Sequence, residues 1–223
     1  MTEAARTRTR VRRHPERGRD DRESLNSILD EGLVCHLGFV DGGVPFVIPT
    51  MYARAGDVIY LHGAPASRML RRARAGVDLC LTVTILDGLV LTRSVFSHSM
   101  NYRSAVVLGR ALEVSDPGEK LLASRALVEH VCRGRWSDAR HPSARELAAT
   151  SIVRLDLGEA SVKMRSGGPL DKDEDLAPGV WAGEIPLRLR SLPPVPDERA
   201  GSAVATPTYV IRYTREGWTD PAG

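Results

Sequence analysis

Three apolar runs of strand length, joined by connections too short for anything but a hairpin, constrain this chain more than any other feature. Leu33–Val40, Pro45–Tyr52 and Val58–His62 carry the strand-forming residues. Asp41-Gly42-Gly43 and Arg54-Ala55-Gly56-Asp57 stand between them. Glycine at such a turn supplies the positive φ that tight hairpins need, and a connection this short cannot cross over to a parallel neighbour. The first third of the chain therefore reads as an antiparallel meander. A short helix precedes it, with Leu25, Ile28 and Leu29 at helical spacing and Gly32 at its end.

The pattern then alternates between helices and further strands. Ala66–Ala75 reads as a helix stopped by Gly76, Val77–Thr84 as a strand with Leu79, Leu81 and Val83 on one face, and Tyr102 to about Val114 as another strand. Asp116-Pro117 opens a helix through Val131, with the acid as cap and proline at the favoured first position. Ser143–Ala149 reads as a short helix, followed by strands at Ile152–Leu157 and Ser161–Met164. Without a repeating strand–helix–strand alternation, the expected fold is mainly β (α+β), a small closed or half-closed antiparallel barrel with peripheral helices. Residues 1–22 are expected to form an arginine-rich arm, 23–187 the folded domain, and 188–223 an extended arm, with Pro186, Pro193, Pro194, Pro196 and Pro207 interrupting regular structure after Trp181.

Composition narrows the function. With 42% hydrophobic and 26% charged residues, the 223-residue chain has material for a core without disulfides or metal. The three cysteines, at 35, 80 and 132, form no CxxC pair, so a reducing cytoplasm is expected. Cys35 and Cys80 read as small hydrophobes, and no base stands beside Cys132. No apolar run reaches the length of a membrane span. A net charge of +3 argues little for nucleic acid; Arg71, Arg72 and Arg74 read as a solvated helix face without interleaved aromatics. The phosphate-loop, dinucleotide-fingerprint, HExxH and GxSxG motifs are all missing, and the six histidines show no metal-ligand spacing. His36, between apolar neighbours, reads as a core or interface histidine, and Trp136 and Trp218 as packing residues.

Two polar clusters remain. In Tyr60-Leu61-His62-Gly63-Ala64-Pro65-Ala66-Ser67-Arg68 a strand ends, a Gly/Pro turn follows, and a hydroxyl and a guanidinium stand where a helix begins. That arrangement either binds a phosphate monoester or simply caps a helix beside a solvated arginine. Ser97-His98-Ser99-Met100-Asn101-Tyr102-Arg103-Ser104 brings polar groups into the mouth of an apolar strand, where they suit a heteroaromatic ligand or an ordinary surface loop.

Taken in order, Pro45-Phe46-Val47-Ile48-Pro49-Thr50, Ile59–Ala64, Ser67-Arg68, Met100–Ser104, Ala160-Ser161-Val162-Lys163 and Val180–Leu187 resemble the pyridoxamine 5′-phosphate oxidase-like flavoproteins, in particular the nitroimidazole-resistance branch. The resemblance runs from about residue 11 to 190. It implies an antiparallel split β-barrel homodimer with FMN at the subunit interface. Ser67 and Arg68 would hold the FMN phosphate, and Val47, Ile48, Pro49 and Thr50 would line the ring. Asn101, Arg103 and Ser104 would reach the flavin, Trp181 would cover the site, and His62 would stand near the ring as the candidate catalytic residue. The implied function is an FMN-dependent oxidoreductase acting on a small organic substrate. The alternatives are a flavin- or ligand-binding protein without turnover, or the same barrel with a deazaflavin or a haem, the haem ligated by His62 or His98. Two departures stand out: Asp20 replaces a tyrosine of the branch, and Ser97-His98 replaces a histidine pair. Pyridoxamine phosphate itself is not expected as substrate, since the C-terminal arm has no matching arginine and histidine.

Overall fold

The computed structural model describes residues 8–176, 179–197, 199 and 204–215. Trp218 lies outside them. Strand β1 (Gly18–Arg19) leads into helix α1 (Arg22–Glu31), whose cap is Asp21: its carboxylate accepts the Ser24 N–H at 2.7 Å. The apolar face Leu25, Ile28 and Leu29 is buried in the barrel. Gly32 ends the helix with φ −66°, a backbone any residue adopts; packing is what demands glycine there. A Cβ would stand 2.4 Å from Val83 Cγ1 and 2.9 Å from the Tyr52 hydroxyl.

The meander follows as β2 (Val34–Asp41), β3 (Val44–Met51), β4 (Ala53–Ala55) and β5 (Val58–Gly63). Gly42 and Gly43, at φ 58° and 78°, close the β2–β3 hairpin with Asp41 paired to Val44, the mirror-image turn that matches strand twist. Helix α2 (Arg68–Arg74) precedes the long β6 (Asp78–Leu91), followed by β7 (Ser99–Arg110) and β8 (Leu112–Glu113). Then come α3 (Pro117–Val131), α4 (Arg135–Asp138), α5 (Ala144–Ala149), β9 (Ser151–Asp156), β10 (Glu159–Arg165), β11 (Gly183–Pro186) and α6 (Thr208–Ile211). Asp116 caps α3 with its side chain, as read from sequence, and Ser143 caps α5.

Two antiparallel sheets share one core. The larger runs β1-β10-β7-β6-β2-β3, with β11 added to β6; the smaller runs β4-β5-β9-β8. The chain passes between them at Tyr52, Ala111 and Leu157, all buried, which makes the split barrel expected from the sequence. Leu37, Leu81, Val107, Leu61 and Leu155 fill its interior together with Leu29 and Leu70 from the helices. Period-two alternation sends Tyr60 and Ile152 to the opposite face of the small sheet, where Val114 and Ala123 cover them.

Two strands exceed the sequence expectation. β6 continues to Leu91 through a bulge between Leu86 and Gly88, so Asp87-Gly88 interrupts the ladder without turning the chain. β11 lies in a segment expected to be irregular; it pairs with Leu91–Gly88, and Pro186 is tolerated because β11 is an edge strand.

Candidate functional site

A cavity of about 1350 Å³ opens at the rim of the larger sheet. The end of α1 and the start of β2 supply Glu31, Gly32, Val34 and His36. The β6 bulge supplies Thr84, Ile85, Leu86 and Asp87, and β7 supplies Asn101 and Arg103. Both arms close on it: Arg17 and Arg19 from the N-terminal side, Arg188, Leu189 and Arg215 from the C-terminal side.

Its polar wall is ordered by two networks. Arg103 donates to both carboxylates of a pair, to Glu31 at 2.6 and 2.8 Å and to Asp87 at 2.9 and 2.8 Å. Those hydrogen bonds, from Glu31 first, hold its guanidinium firmly charged. The cluster carries one net negative charge toward the cavity. Next to it Asn101, buried, donates to Glu184 at 2.6 Å and accepts from Arg165. Arg165 also donates to the carbonyls of Gly167 and Gly168 at 2.8 and 2.9 Å.

Behind the cavity the last turn of α1 is fastened by groups remote in sequence. Tyr52 donates to the Leu29 carbonyl at 2.6 Å, and His130 Nε2 donates to the Gly32 carbonyl at 2.8 Å. Arg215 reaches in from the C-terminal arm and donates to the carbonyls of Asp30, Glu31, Gly32 and His130, so one guanidinium serves the ends of α1 and α3. Helix C-termini leave carbonyls without intrahelical partners, and a cation is the favourable group there. Asp30 itself forms a buried ion pair with Arg54, two contacts of 2.7 Å.

Of the residues singled out from the sequence, Asn101 and Arg103 line this cavity, and the others stand elsewhere. Val47 and Pro49 are exposed on the outward face of β3, while Ile48 and Thr50 point to its other side. Ser67 is at the N-cap of α2 but makes no side-chain cap hydrogen bond. Arg68 lies over the Phe46 ring, 4.5 Å from its centroid, with Nε 4.0 Å from Asp41. Ser104 donates to the Lys163 carbonyl at 3.1 Å, and Trp181 is exposed. His62 shares the small-sheet face of Tyr60; its Nδ1 is buried with no hydrogen-bond partner among the described residues, and burial lowers its pKa.

The histidines separate by their hydrogen bonds. His98 Nδ1 is engaged by Thr92, 3.2 Å from its N–H and 3.1 Å from its Oγ1, and His98 does not line the cavity. His130 is buried and bonded to Gly32, His141 is stacked on Trp136, and His14 contacts Glu16 on the arm. His36 remains: exposed on the outward face of β2 and the one histidine on the cavity wall, with neither ring nitrogen bonded among the described residues. The sequence reading gave it as a core or interface histidine; it is exposed and so does not lie in the core. The alternation Cys35-His36-Leu37, buried–exposed–buried, was the available signal. Among the described residues there is no cluster of three or more side chains placed to hold a bare metal ion, and no helix is long and apolar enough to cross a membrane.

The fit of a planar redox group rests on this donor set. One free imidazole, apolar walls at Val34, Ile85, Leu86 and Met164, and guanidinium groups at the edge match what a haem needs from a protein.

Comparison with known proteins agrees with the fold. The flavocytochrome Anf3 from Azotobacter vinelandii is 41% identical, with a TM-score of 0.88, covering 96% of this chain and 99% of that one. A FAD and haem binding protein from Mycobacterium smegmatis is 33% identical, TM-score 0.84, covering 91% and 97%. A Bacteroides thetaiotaomicron protein assigned to 5-nitroimidazole antibiotic resistance is 24% identical over 66% of this chain and 85% of its own, TM-score 0.54, and shares the fold. No curated protein matched the sequence. The profile of the pyridoxamine 5′-phosphate oxidase family matches residues 21–164. With that match, and with relatives above 30% identity along almost the whole length, this chain belongs to the pyridoxamine 5′-phosphate oxidase family.

Proposed function

We propose that this protein binds a flavin, as FAD, together with a haem, and works as a redox protein in which electrons pass between the two. The observation that carries the haem half is His36, the cavity histidine with both ring nitrogens free. The relatives that match along the whole chain are a flavocytochrome and a FAD and haem binding protein, which supports this pairing over FMN alone.

A flavin supplies two-electron and a haem one-electron chemistry. The chain's own part is placement and electrostatics. His36 would hold the haem through a ring nitrogen. Glu31 and Asp87 hold Arg103 in one orientation on the cavity wall, where it would help to orient the bound group. The β3 segment Val47–Thr50 and the Ser67-Arg68 turn remain the proposed flavin contacts. A second copy of this chain is the proposed cover for the outward face of the larger sheet, where Val34, Val40 and Val47 are 48–67% exposed.

The absorption spectrum of the purified protein tests the reading, with mass spectrometry of the released flavin. Flavin bands, a Soret band and a mass of FAD are expected, and His36→Ala should lose the Soret band while keeping the flavin bands. A protein that shows no Soret band and takes up no added haem would refute the haem half; a released mass of FMN would return the flavin to the monophosphate.

A further inference from the structure

Arg165 is buried, yet it has no carboxylate partner among the described residues: its hydrogen bonds go to an amide oxygen and two backbone carbonyls. The acid nearest to it in this network, Glu184, is engaged by Asn101. A second guanidinium stands beside it. Gly18 pairs with Lys163, which puts Arg17 next to the Met164–Arg165 end of β10, and both arginines line the cavity. Among the described residues Arg17 has one ion-pair contact, a loose one with Glu16 at 3.7 Å, and that carboxylate is mostly exposed. Burial, and then the proximity of Arg17, makes the charged form of Arg165 harder to keep. Two like charges at one cavity wall, one of them buried against neutral groups, are unfavourable unless an anion completes the set.

We propose that Arg17 and Arg165 form an anion-binding wall that takes the acidic end of the redox group held in this cavity, a carboxylate or a phosphate. The inference rests on the reading that the cavity holds such a group. It makes the N-terminal arm, through the β1–β10 pairing, part of the cofactor site. Planar guanidinium groups suit either anion, since both accept two parallel N–H bonds.

The test changes the ligand before it changes the protein. Titration of cofactor-free protein with haem and with its dimethyl ester, read by Soret absorbance, compares charged with neutral propionates. FAD and riboflavin, read by flavin fluorescence, compare presence and absence of phosphate. Arg17→Gln, a conservative change on a partly exposed arm, is then titrated with all four. The expected result is that one acidic ligand binds about 10-fold better than its neutral counterpart, and that Arg17→Gln removes most of that advantage while leaving the neutral ligand unchanged. Loss confined to the haem pair assigns the wall to propionates; loss confined to the flavin pair assigns it to phosphate. Equal loss with acidic and neutral ligands, or no loss with either, would overturn the inference and leave the cofactor reading intact. Failure of the unmodified protein to bind haem or flavin at all would overturn both.

Discussion

Acid should destabilise this protein through His130 in a way that one substitution exposes. Its ring is buried under Tyr52, 4.9 Å between centroids, and donates from Nε2 to the Gly32 carbonyl. The charges facing it are Arg215, whose guanidinium bonds the His130 carbonyl, and the Arg54–Asp30 pair. Burial, then Arg215, pushes its pKa from 6.5 down to about 4. The unfolded chain therefore takes up a proton that the folded chain refuses between those values, and stability rises with pH across that window. The contribution is complete above pH 6.5 and is lost as pH falls toward 4. A depression of this size corresponds to about 3 kcal/mol in full, of which about 2 kcal/mol has gone by pH 5. Urea unfolding of the native protein and of His130→Gln, at pH 7.5 and pH 5, reads it. The variant keeps a donor and cannot titrate. It starts about 1–2 kcal/mol less stable through poorer packing, and should then lose about 2 kcal/mol less on acidification than the native chain. His62, also lowered by burial, titrates in both proteins and cancels in the difference. Equal losses in the two proteins would refute the account.

The buried Arg54–Asp30 pair supports a double-mutant cycle. Arg54→Met alone strands a buried carboxylate and should cost about 3–5 kcal/mol, whereas Arg54→Met with Asp30→Leu should recover most of that loss; additive costs in urea unfolding would contradict the pairing. Light scattering of the purified protein should give twice the monomer mass, and Val47→Asp on the exposed β3 face should return it to the monomer. A monomeric native protein would leave the outward sheet face uncovered and sink the dimer reading.

Much of the barrel was legible because its signals are local. Gly42-Gly43 and Asp116-Pro117 each state their own structure, and both read correctly. The failures share a physical cause. Asp87-Gly88 has the chemistry of a tight turn, but β7 and β11 pair on either side of it, and the tertiary ladder overrode the local signal into a bulge. That bulge points Asp87 at Arg103, and Glu31 arrives at the same guanidinium from a helix end 72 positions away. The polar run around Arg103 announced a site; it could not announce that two acids already hold the arginine. Arg215 carried no signal at all, since a lone arginine in a proline-rich arm reads as solvated until the carbonyls it serves are placed in space.

The cavity draws its polar groups from both inside and outside the segment that the family shares. The family match ends at residue 164, and the barrel within it supplies His36, Glu31, Asp87, Asn101 and Arg103. Arg17, Arg19, Arg165, Glu184, Arg188 and Arg215 all lie beyond those limits, yet each stands on the cavity wall. They are placed by backbone as much as by side chain: β1 adds to one edge of the larger sheet, β11 pairs with β6, and Arg215 locks the tail against the ends of α1 and α3. A barrel of this fold without the arms would keep its core, because the buried cluster draws only on residues 25–162. It would lose most of the positive charge around the opening. The C-terminal arm serves the fold as well as the cavity, since Arg215 also satisfies the carbonyls at the ends of α1 and α3.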